Sequence, residues 1–233
     1  MQVADVVVTC EVSTTSRARQ IEAMFDVPPA EKATLRFRVE CAFDEQPWQI
    51  GLITGASGSG KSTLAKHLFA EQMAQKFTWG GASVLDDFSS ELSVEDIANV
   101  CMAVGFNTIP AWVRPHGVLS TGEQFRVDLA RHLVEGGDLV VVDEFTSVVD
   151  RTVAKIGSNA VNKYVRRRPD MKFVAVSCHD DITEWLRPDW IVNMSEQKFE
   201  WTREVANSKR PPFQSRWLQY LTDCGPRSLR FTI

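Results

Sequence analysis

The stretch Gly55-Ala56-Ser57-Gly58-Ser59-Gly60-Lys61-Ser62-Thr63 decides the fold of this chain. It fits the pattern G-x-x-x-x-G-K-[ST], in which a glycine-rich turn wraps the phosphates of a nucleotide. The apolar run before it, residues 48–54, predicts a buried strand, and Leu64, Leu68 and Phe69 behind it predict the apolar face of a helix. Strand, glycine loop and helix in this order are the context that the motif requires.

The residue types of this loop match the chemistry of phosphate binding. Glycines at 55, 58 and 60 permit positive φ and let backbone N–H groups approach phosphate oxygens. Lys61 can reach the β- and γ-phosphates, and the Ser62 hydroxyl can take one coordination position on Mg²⁺. The alternative, an ordinary Gly/Ser-rich loop, requires eight fitting positions and the correct flanks to coincide. The loop alone does not distinguish between kinases, GTPases and ATPases.

Length and composition set broad limits. With 233 residues, 44% of them hydrophobic and 24% charged, the chain fits one large α/β domain or a domain with a small appended lobe. The net charge of −4 gives no global attraction to nucleic acid or membrane. The five cysteines are scattered and lack C-x-x-C spacing, which favours reduced thiols over a zinc site or disulfides. Without an 18-residue apolar run or a basic leader, we expect a cytoplasmic protein with no transmembrane segment.

The N-terminal part predicts a small antiparallel sheet. Residues 6–9 read as a strand, and residues 34–43 alternate between apolar and charged side chains, which is typical of a half-exposed strand. Between them lies a polar stretch, residues 13–19, followed by prolines at 28 and 29 that end regular structure.

The region behind the glycine loop contains two local signals. Residues 82–88 predict a short strand that ends in two carboxylates, Asp86 and Asp87. Residues 93–104 predict a helix with Ser93 as its N-cap and a glycine directly after it.

A second helix start follows at Ser120. Ser120 and Glu123 have capping-box spacing, and Phe125, Leu129 and Leu133 recur behind them at helical intervals. The N-terminus of this helix is a second potential anion site. A capping hydroxyl is already bonded to its own helix, so Ser120 can serve either as cap or as ligand contact.

Two further apolar runs predict parallel strands. Residues 139–142 lead into Asp143 and Glu144, and residues 173–177 lead into His179. Functional groups of open α/β sheets lie at the carboxyl ends of such strands. Together with the loop strand, they would present four groups along one rim: Lys61, Asp143, Glu144 and His179.

The order of these motifs resembles that of the ATP-binding cassette (ABC) ATPases over most of the chain. Residues 55–63 resemble the Walker A motif, residues 119–123 the family signature, residues 139–144 Walker B and residues 147–150 the D-loop. His179 lies where the switch histidine belongs. Walker A occurs in many families, but a serine-glycine helix start about twenty residues before Walker B is typical of this one.

The resemblance implies a fold and a mechanism. The fold class is an α/β P-loop NTPase with a central, mainly parallel sheet, an N-terminal antiparallel β subdomain and a reduced helical subdomain. Two copies would sandwich two ATP molecules head to tail, with Ser120 and Gly122 contacting the partner's site. Asp150, in the segment that resembles the D-loop, would be a further nucleotide-binding residue. Asp143 would hold Mg²⁺ directly or through water, Glu144 would polarise the attacking water, and His179 would contact the γ-phosphate. Asp150 can equally be the N-cap of the next helix.

Two assignments within the resemblance are open. Phe25 is the candidate for the aromatic residue that stacks on adenine; Phe37, Phe43 and Trp48 are rivals, and core packing is an alternative for each. The family places a glutamine that touches Mg²⁺ behind the strand after the loop helix, where this chain has Asp86 and Asp87, so Asp86 is the candidate substitute.

The signature and the helical subdomain also depart from the family pattern. Thr121 replaces the usual glycine, and Glu123-Gln124 replaces a lone glutamine. Residues 88–121, the predicted helical subdomain, are shorter than in transporter ATPases, which puts a transport role in doubt.

We predict a single domain over residues 1–233. Three alternatives remain for its biological role. The C-terminal extension, residues 205–233, interleaves basic and aromatic residues, as nucleic-acid-binding segments do, although a packed helix over residues 213–221 explains it as well. We expect an ATPase in nucleic-acid repair, modification or genome maintenance. The alternatives are the nucleotide-binding subunit of a membrane transporter and a regulatory dimer that recruits a partner protein.

Overall fold

Two β-sheets organise the described part of the chain. The computed structural model describes residues 2–28, 32–74 and 77–202. The predicted extension of residues 205–233, with its predicted helix, lies outside the described residues.

The smaller sheet is an antiparallel pair. Its strands are β1, Gln2–Glu11, and β2, Lys32–Cys41, with Val6 opposite Phe37. Alternate residues of β2 from Phe37 to Cys41 are buried, while the charged residues between them are exposed. The predicted half-exposed strand is therefore confirmed.

The connection between β1 and β2 contains a helix that the sequence analysis did not predict. Helix α1, Ser16–Met24, begins behind Thr15, whose hydroxyl accepts a hydrogen bond from the Ala18 N–H. None of its residues is buried. A helix that buries no face needs no apolar period, which is why the polar pattern did not reveal it.

The central sheet has five strands in the order β4-β5-β3-β6-β7. The first four are parallel to one another, and β7 is antiparallel to β6. The strands are β3, Ile50–Thr54; β4, Leu139–Val142; β5, Lys172–Ser177; β6, Trp190–Asn193; and β7, Lys198–Trp201. All five residues of β3 are buried, as expected for a central parallel strand. The mainly parallel sheet is confirmed.

Helices cover both faces of this sheet. They are α2, Lys61–Leu68; α3, Ala70–Ala74; α4, Val94–Ala103; α5, Ile109–Trp112; α6, Thr121–Glu135; α7, Arg151–Arg166; and α8, Ile182–Leu186. Alternate strand residues divide between two cores, because successive side chains of a strand point to opposite faces. Leu52 packs with α4, α6 and α7, whereas Ile53 packs with α2 and the β1–β2 pair.

The predicted strand over residues 82–88 is wrong. A 3₁₀ turn, Val84–Asp87, occupies this position. The Asp86 carboxylate accepts hydrogen bonds from the Ser83 N–H at 3.1 Å and hydroxyl at 2.7 Å, and Asp87 Oδ1 accepts from the N–H groups of Gly80 and Gly81. Short carboxylate side chains that bond nearby backbone groups favour turns over strands.

The predicted helix starts are confirmed. Ser93 caps α4 by accepting from the Asp96 N–H at 3.1 Å, and Ser120 caps α6 in a complete capping box. Asp150 Oδ1 accepts from the N–H groups of Thr152 and Val153, so Asp150 is the N-cap of α7.

A bidentate ion pair anchors the start of β3. Arg166 donates to both carboxylate oxygens of Asp189, at 2.7 and 2.8 Å, and the Gln49 and Ile50 N–H groups donate to the same carboxylate. Burial alone would raise the pKa of Asp189, but these hydrogen bonds outweigh it and the pKa is lowered. The bonds tie α7 and the start of β6 to β3.

In the three described segments, every helix is too short or too polar to cross a bilayer.

Candidate nucleotide site

Three neighbouring strands carry the predicted site residues to one edge of the central sheet. β3 leads into the glycine loop, β4 into Asp143 and Glu144, and β5 into His179. Because β4, β5 and β3 are adjacent and parallel, their carboxyl ends meet at the same edge. The topology therefore places the groups where ligands bind in open α/β sheets.

The glycine loop adopts a backbone that requires glycine. Gly55, Gly58 and Gly60 have φ values of 143°, 78° and 92°, which side chains rarely allow. A Cβ at Gly60 would also lie 2.7 Å from the Phe37 ring. Helix α2 starts at Lys61 directly behind this turn, so its first N–H groups, which have no intrahelical acceptors, face the loop.

Lys61 lies against the loop backbone. Its Nζ donates to the carbonyl oxygens of Gly55, at 3.0 Å, and Ala56, at 2.8 Å, and the residue is only 8% exposed. An ammonium group has three N–H donors, so these two bonds leave one donor for a further acceptor. A largely buried cation beside helix N–H groups suits a phosphate ligand.

The residues predicted to hold Mg²⁺ are in direct contact. Ser62 Oγ donates to Asp143 Oδ1 at 3.0 Å, which joins the start of α2 to the end of β4. The same carboxylate oxygen accepts from the Glu144 N–H at 3.0 Å. A hydroxyl and a carboxylate oxygen are ligands that Mg²⁺ prefers, so the residues present fit this ion.

The backbone behind Asp143 is strained. Glu144 and Thr146 have φ values of 53° and 65°. The buried Phe145 between them donates its N–H to the Val176 carbonyl at 2.8 Å, which holds the turn against β5. Such conformations persist only where the surroundings impose them, and they cluster at functional sites. The turn leaves Glu144 exposed at the edge.

His179 is half-buried at the same edge. The backbone N–H of His179 donates to Ser177 Oγ at 3.2 Å, and this bond shapes the first turn after β5. The next residue, Asp180, is bonded to Thr54 at the end of β3. Neither Thr54 nor Asp180 was singled out from the sequence, because a lone hydroxyl and a lone loop carboxylate carry no motif.

The signature residues form the N-terminus of α6. Ser120 Oγ donates to Glu123 Oε2 at 2.7 Å, and that oxygen also accepts from the Ser120 N–H. These bonds lower the pKa of Glu123. Gly122 has room beside it, since a Cβ there would be 3.7 Å from Val153. The Ser120 hydroxyl is thus engaged as a cap in the single chain.

A cavity of about 520 Å³ lies beside Asp143 and Glu144. Aromatic and polar side chains of α6 and of two loops form much of its wall: Phe77, Trp79, His116, Phe125, Asp128 and His132. His116 Nε2 lies 2.9 Å from Asp128 Oδ1, and its ring stacks on Trp79 with 4.5 Å between centroids. These contacts make His116 a packing residue in the wall of the cavity, and the cavity itself had no sequence signal.

The remaining candidates are less closely tied to the loop. Phe25 is exposed behind α1, whereas its rivals Phe43 and Trp48 pack together and on Trp190. Phe37 is buried against Gly60. The Asp86 carboxylate bonds to Ser83 in its own turn. The adenine-stacking role of Phe25 and the metal role of Asp86 stay predictions.

Comparisons of sequence support the resemblance. No family model matches the chain. A curated relative, the cytochrome c biogenesis ATP-binding export protein CcmA of Rhodospirillum rubrum, is 28% identical over 163 residues, which are 57% of this chain and 69% of that protein. Elongation factor 3 of Gonapodya prolifera is 32% identical over 121 residues, 42% of this chain and only 11% of that protein.

Solved structures share the fold. The dimeric structure of MJ0796, a bacterial ABC transporter cassette, superposes with a TM-score of 0.52 at 15% identity, covering 74% of this chain and 93% of that one. The post-hydrolysis dimer of MJ0796 bound to ADP and Pi gives a TM-score of 0.57 at 16% identity, covering 87% and 100%. The motif order, the fold and these relatives together make the chain similar to the ATP-binding cassette ATPases.

Proposed function

We propose that the chain binds Mg-ATP at residues 55–63 and hydrolyses it in a head-to-tail dimer. The observation that carries this proposal is the contact of Ser62 with Asp143, which brings the Walker A hydroxyl and the Walker B carboxylate to 3.0 Å. The two residues come from segments 81 positions apart, and an ATPase needs both beside the metal-bound phosphates.

Each residue at the edge has a distinct role in this proposal. Bound Mg²⁺, held by Ser62 and Asp143, would neutralise charge on the phosphates. Lys61 binds the β- and γ-phosphates through its ammonium group. Glu144 accepts a hydrogen bond from the attacking water and orients it, and His179 donates to the γ-phosphate. Catalysis of this kind depends mainly on positioning and charge stabilisation.

The second copy completes the site through α6. Ser120 is exposed at the N-terminus of this 15-residue helix, where N–H groups and the helix dipole favour an anion. Gly122 leaves space for close approach of a ligand. We propose that Ser120 and Gly122 of one copy contact the γ-phosphate bound by the other. The two neighbouring structures named above are dimers, which supports this arrangement.

Glu144→Gln tests the proposal. The substitution keeps the shape of the side chain and removes its basicity, so we expect ATP binding without turnover and a stable dimer in Mg-ATP. Light scattering coupled to size exclusion measures the mass, and Lys61→Ala, which lacks the phosphate contact, is the control that should stay monomeric. A monomeric Glu144→Gln protein in saturating Mg-ATP would contradict the dimer mechanism.

For the biological role, we propose nucleic-acid metabolism. We also propose that residues 1–233 are a single domain, which includes the helical subdomain at residues 88–121 and the extension at residues 205–233. The basic and aromatic composition of the extension supports the role in nucleic-acid metabolism. We also propose a cytoplasmic location, in keeping with the free thiols of Cys10, Cys41 and Cys101.

A membrane-transport role is the second candidate. The segment between α3 and α6 exposes several apolar side chains, which suit a partner protein: Val94, Met102, Ile109, Val113 and Val118. The name of the CcmA relative also refers to export. A third candidate is a regulatory dimer that recruits a protein.

One capture experiment separates these roles. Glu144→Gln protein in Mg-ATP serves as bait, and the same bait without ATP is the control. Salt-sensitive, ATP-dependent capture of DNA or RNA that is lost on deletion of residues 205–233 supports nucleic-acid metabolism. Capture of a polytopic membrane protein supports transport, and capture of a protein without membrane spans supports the regulatory role.

A further inference from the structure

The two residues after His179 are Asp180 and Asp181, and the carboxylate of each is bonded to a different element of the fold. Thr54 Oγ1 donates to Asp180 Oδ1 at 2.5 Å, and Arg151 forms an ion pair with Asp181. Thr54 is the last residue of β3, directly before Gly55, while Arg151 is the first residue of α7. The loop that carries His179 is thus bonded to the strand that carries the phosphate loop.

The Thr54 bond closes a short frame around His179. Thr54 lies opposite Ser177 in the parallel pairing of β3 with β5. Ser177 Oγ accepts from the His179 N–H at 3.2 Å, and Asp180 Oδ1 accepts from Thr54. The backbone is therefore held at His179 itself and again one residue later, by two adjacent strand ends that are both buried.

Asp180 and Asp181 are both exposed, but the donors that contact them differ in burial. Thr54 is only 5% exposed, so its hydroxyl would have little access to water if Asp180 moved away. Hydrogen bonds to a charged acceptor are also stronger than neutral ones. By contrast, the side chains of Arg151 and Asp181 are 40% and 47% exposed, and ion pairs of that kind contribute little.

We propose that Thr54 and Asp180 are positioning residues that fix His179 relative to the phosphate loop. The inference rests on the proposed contact of His179 with the γ-phosphate. Both residues act through His179. Small displacements of a positioned group cost up to about a hundredfold in rate, so the loss of one hydrogen bond in this frame should lower turnover more than nucleotide binding.

The steady-state test uses four variants. Thr54→Val removes the hydroxyl at nearly constant volume, and Asp180→Ala removes its acceptor. We expect both to lower kcat about tenfold and to change the Kd for ATP less than about threefold. Thr54→Ser, which restores the donor, should recover most of the rate, and Asp181→Ala is the matched control at the exposed ion pair. Wild-type kcat in Thr54→Val would overturn the proposal.

A double-mutant cycle separates positioning from general damage. In a His179→Ala background, Thr54→Val should lower kcat no further, because the group it positions is gone. A further tenfold loss in that background would overturn the proposal, as would a wild-type rate for His179→Ala. Unchanged thermal midpoints would show that the variants fold.

A measurement without nucleotide keeps the test independent of the ATPase assignment. Backbone amide exchange of residues 178–181 should accelerate about tenfold in nucleotide-free Thr54→Val and stay at the wild-type rate in Thr54→Ser. If the wild-type protein does not hydrolyse ATP, the proposed function fails, and this exchange rate alone decides whether Thr54 fixes the segment. Equal exchange in Thr54→Val and wild type would overturn the proposal.

Discussion

Ser62 Oγ lies 3.0 Å from Asp143 Oδ1, in a hydrogen bond that joins the first turn of α2 to the end of β4. The two residues belong to different motifs, which follow strands β3 and β4, and β5 lies between these strands in the sheet. Their contact joins two independent sequence signals at the proposed magnesium site, so the magnesium dependence of ATP binding is a direct test of this geometry.

The first prediction concerns this pair. Ser62→Ala should lower ATP affinity in Mg²⁺ at least tenfold, because it removes one oxygen ligand and the bond that orients Asp143. Titration calorimetry in Mg²⁺ and in EDTA measures the effect. The affinity in EDTA is the internal control and should change little. Equal losses under both conditions would show that Ser62 serves the loop and not the ion.

The second prediction separates the two roles of Ser120. Asn is as good an N-cap as Ser, so Ser120→Asn should keep the free energy of unfolding within about 0.5 kcal/mol, whereas Ser120→Ala should lower it by about 1 kcal/mol. Denaturant unfolding measures both. If the Ser120 hydroxyl contacts the partner's nucleotide, both variants should lose ATP-driven dimerisation. Full dimerisation of Ser120→Asn would leave the hydroxyl with the capping role alone.

The third prediction concerns the ion pair that anchors β3. Arg166 and Asp189 have side chains only 16% and 10% exposed, so Arg166→Leu should lower the free energy of unfolding by about 3 kcal/mol. The exposed neighbouring variant Arg167→Leu is the control and should stay within about 0.5 kcal/mol. Urea unfolding measures the free energy of unfolding of both variants. A loss below about 1 kcal/mol in Arg166→Leu would contradict the structural role.

The fourth prediction is a pH dependence. Burial lowers the pKa of His132 to about 4, and Arg131 adds to this effect, whereas the unfolded value is about 6.5. Between these values the unfolded chain binds a proton that the folded chain does not, so stability falls as the pH drops from about 6.5 to about 4. Above about pH 7 His132 contributes no pH dependence.

His132→Gln removes this titration. From pH 7.5 to pH 5, the wild type should lose about 2 kcal/mol more free energy of unfolding than His132→Gln. Urea unfolding at several pH values measures the difference. Parallel pH profiles of the two proteins would mean that His132 titrates normally in the folded state.

Structural features that depend on a few neighbouring residues could be predicted from the sequence. The glycine spacing at residues 55–63 predicted a strand, a turn and a helix, because φ above zero and close backbone approach restrict those positions to glycine. Ser93 and Ser120 predicted helix starts, since a capping hydroxyl and its N–H acceptor lie within three residues. The strand β4 followed from an apolar run that only a buried position explains.

Elements without a local signature were missed or misread. Helix α1 buries no face, β6 and β7 are only four residues each, and residues 84–87 form a turn whose aspartates bond to nearby N–H groups. In each case the competing conformations are close in local energy, and contacts with distant segments select among them.

By itself, the sequence determined that a phosphate loop, a pair of acids and a histidine would lie at strand ends, and the motif order indicated the family. Only the tertiary structure decided which of these groups touch. Ser62 meets Asp143, and Thr54 holds the residue behind His179, because the order β4-β5-β3 brings three strand ends together. Such contacts join residues about 80 to 130 positions apart, and no local spacing encodes them.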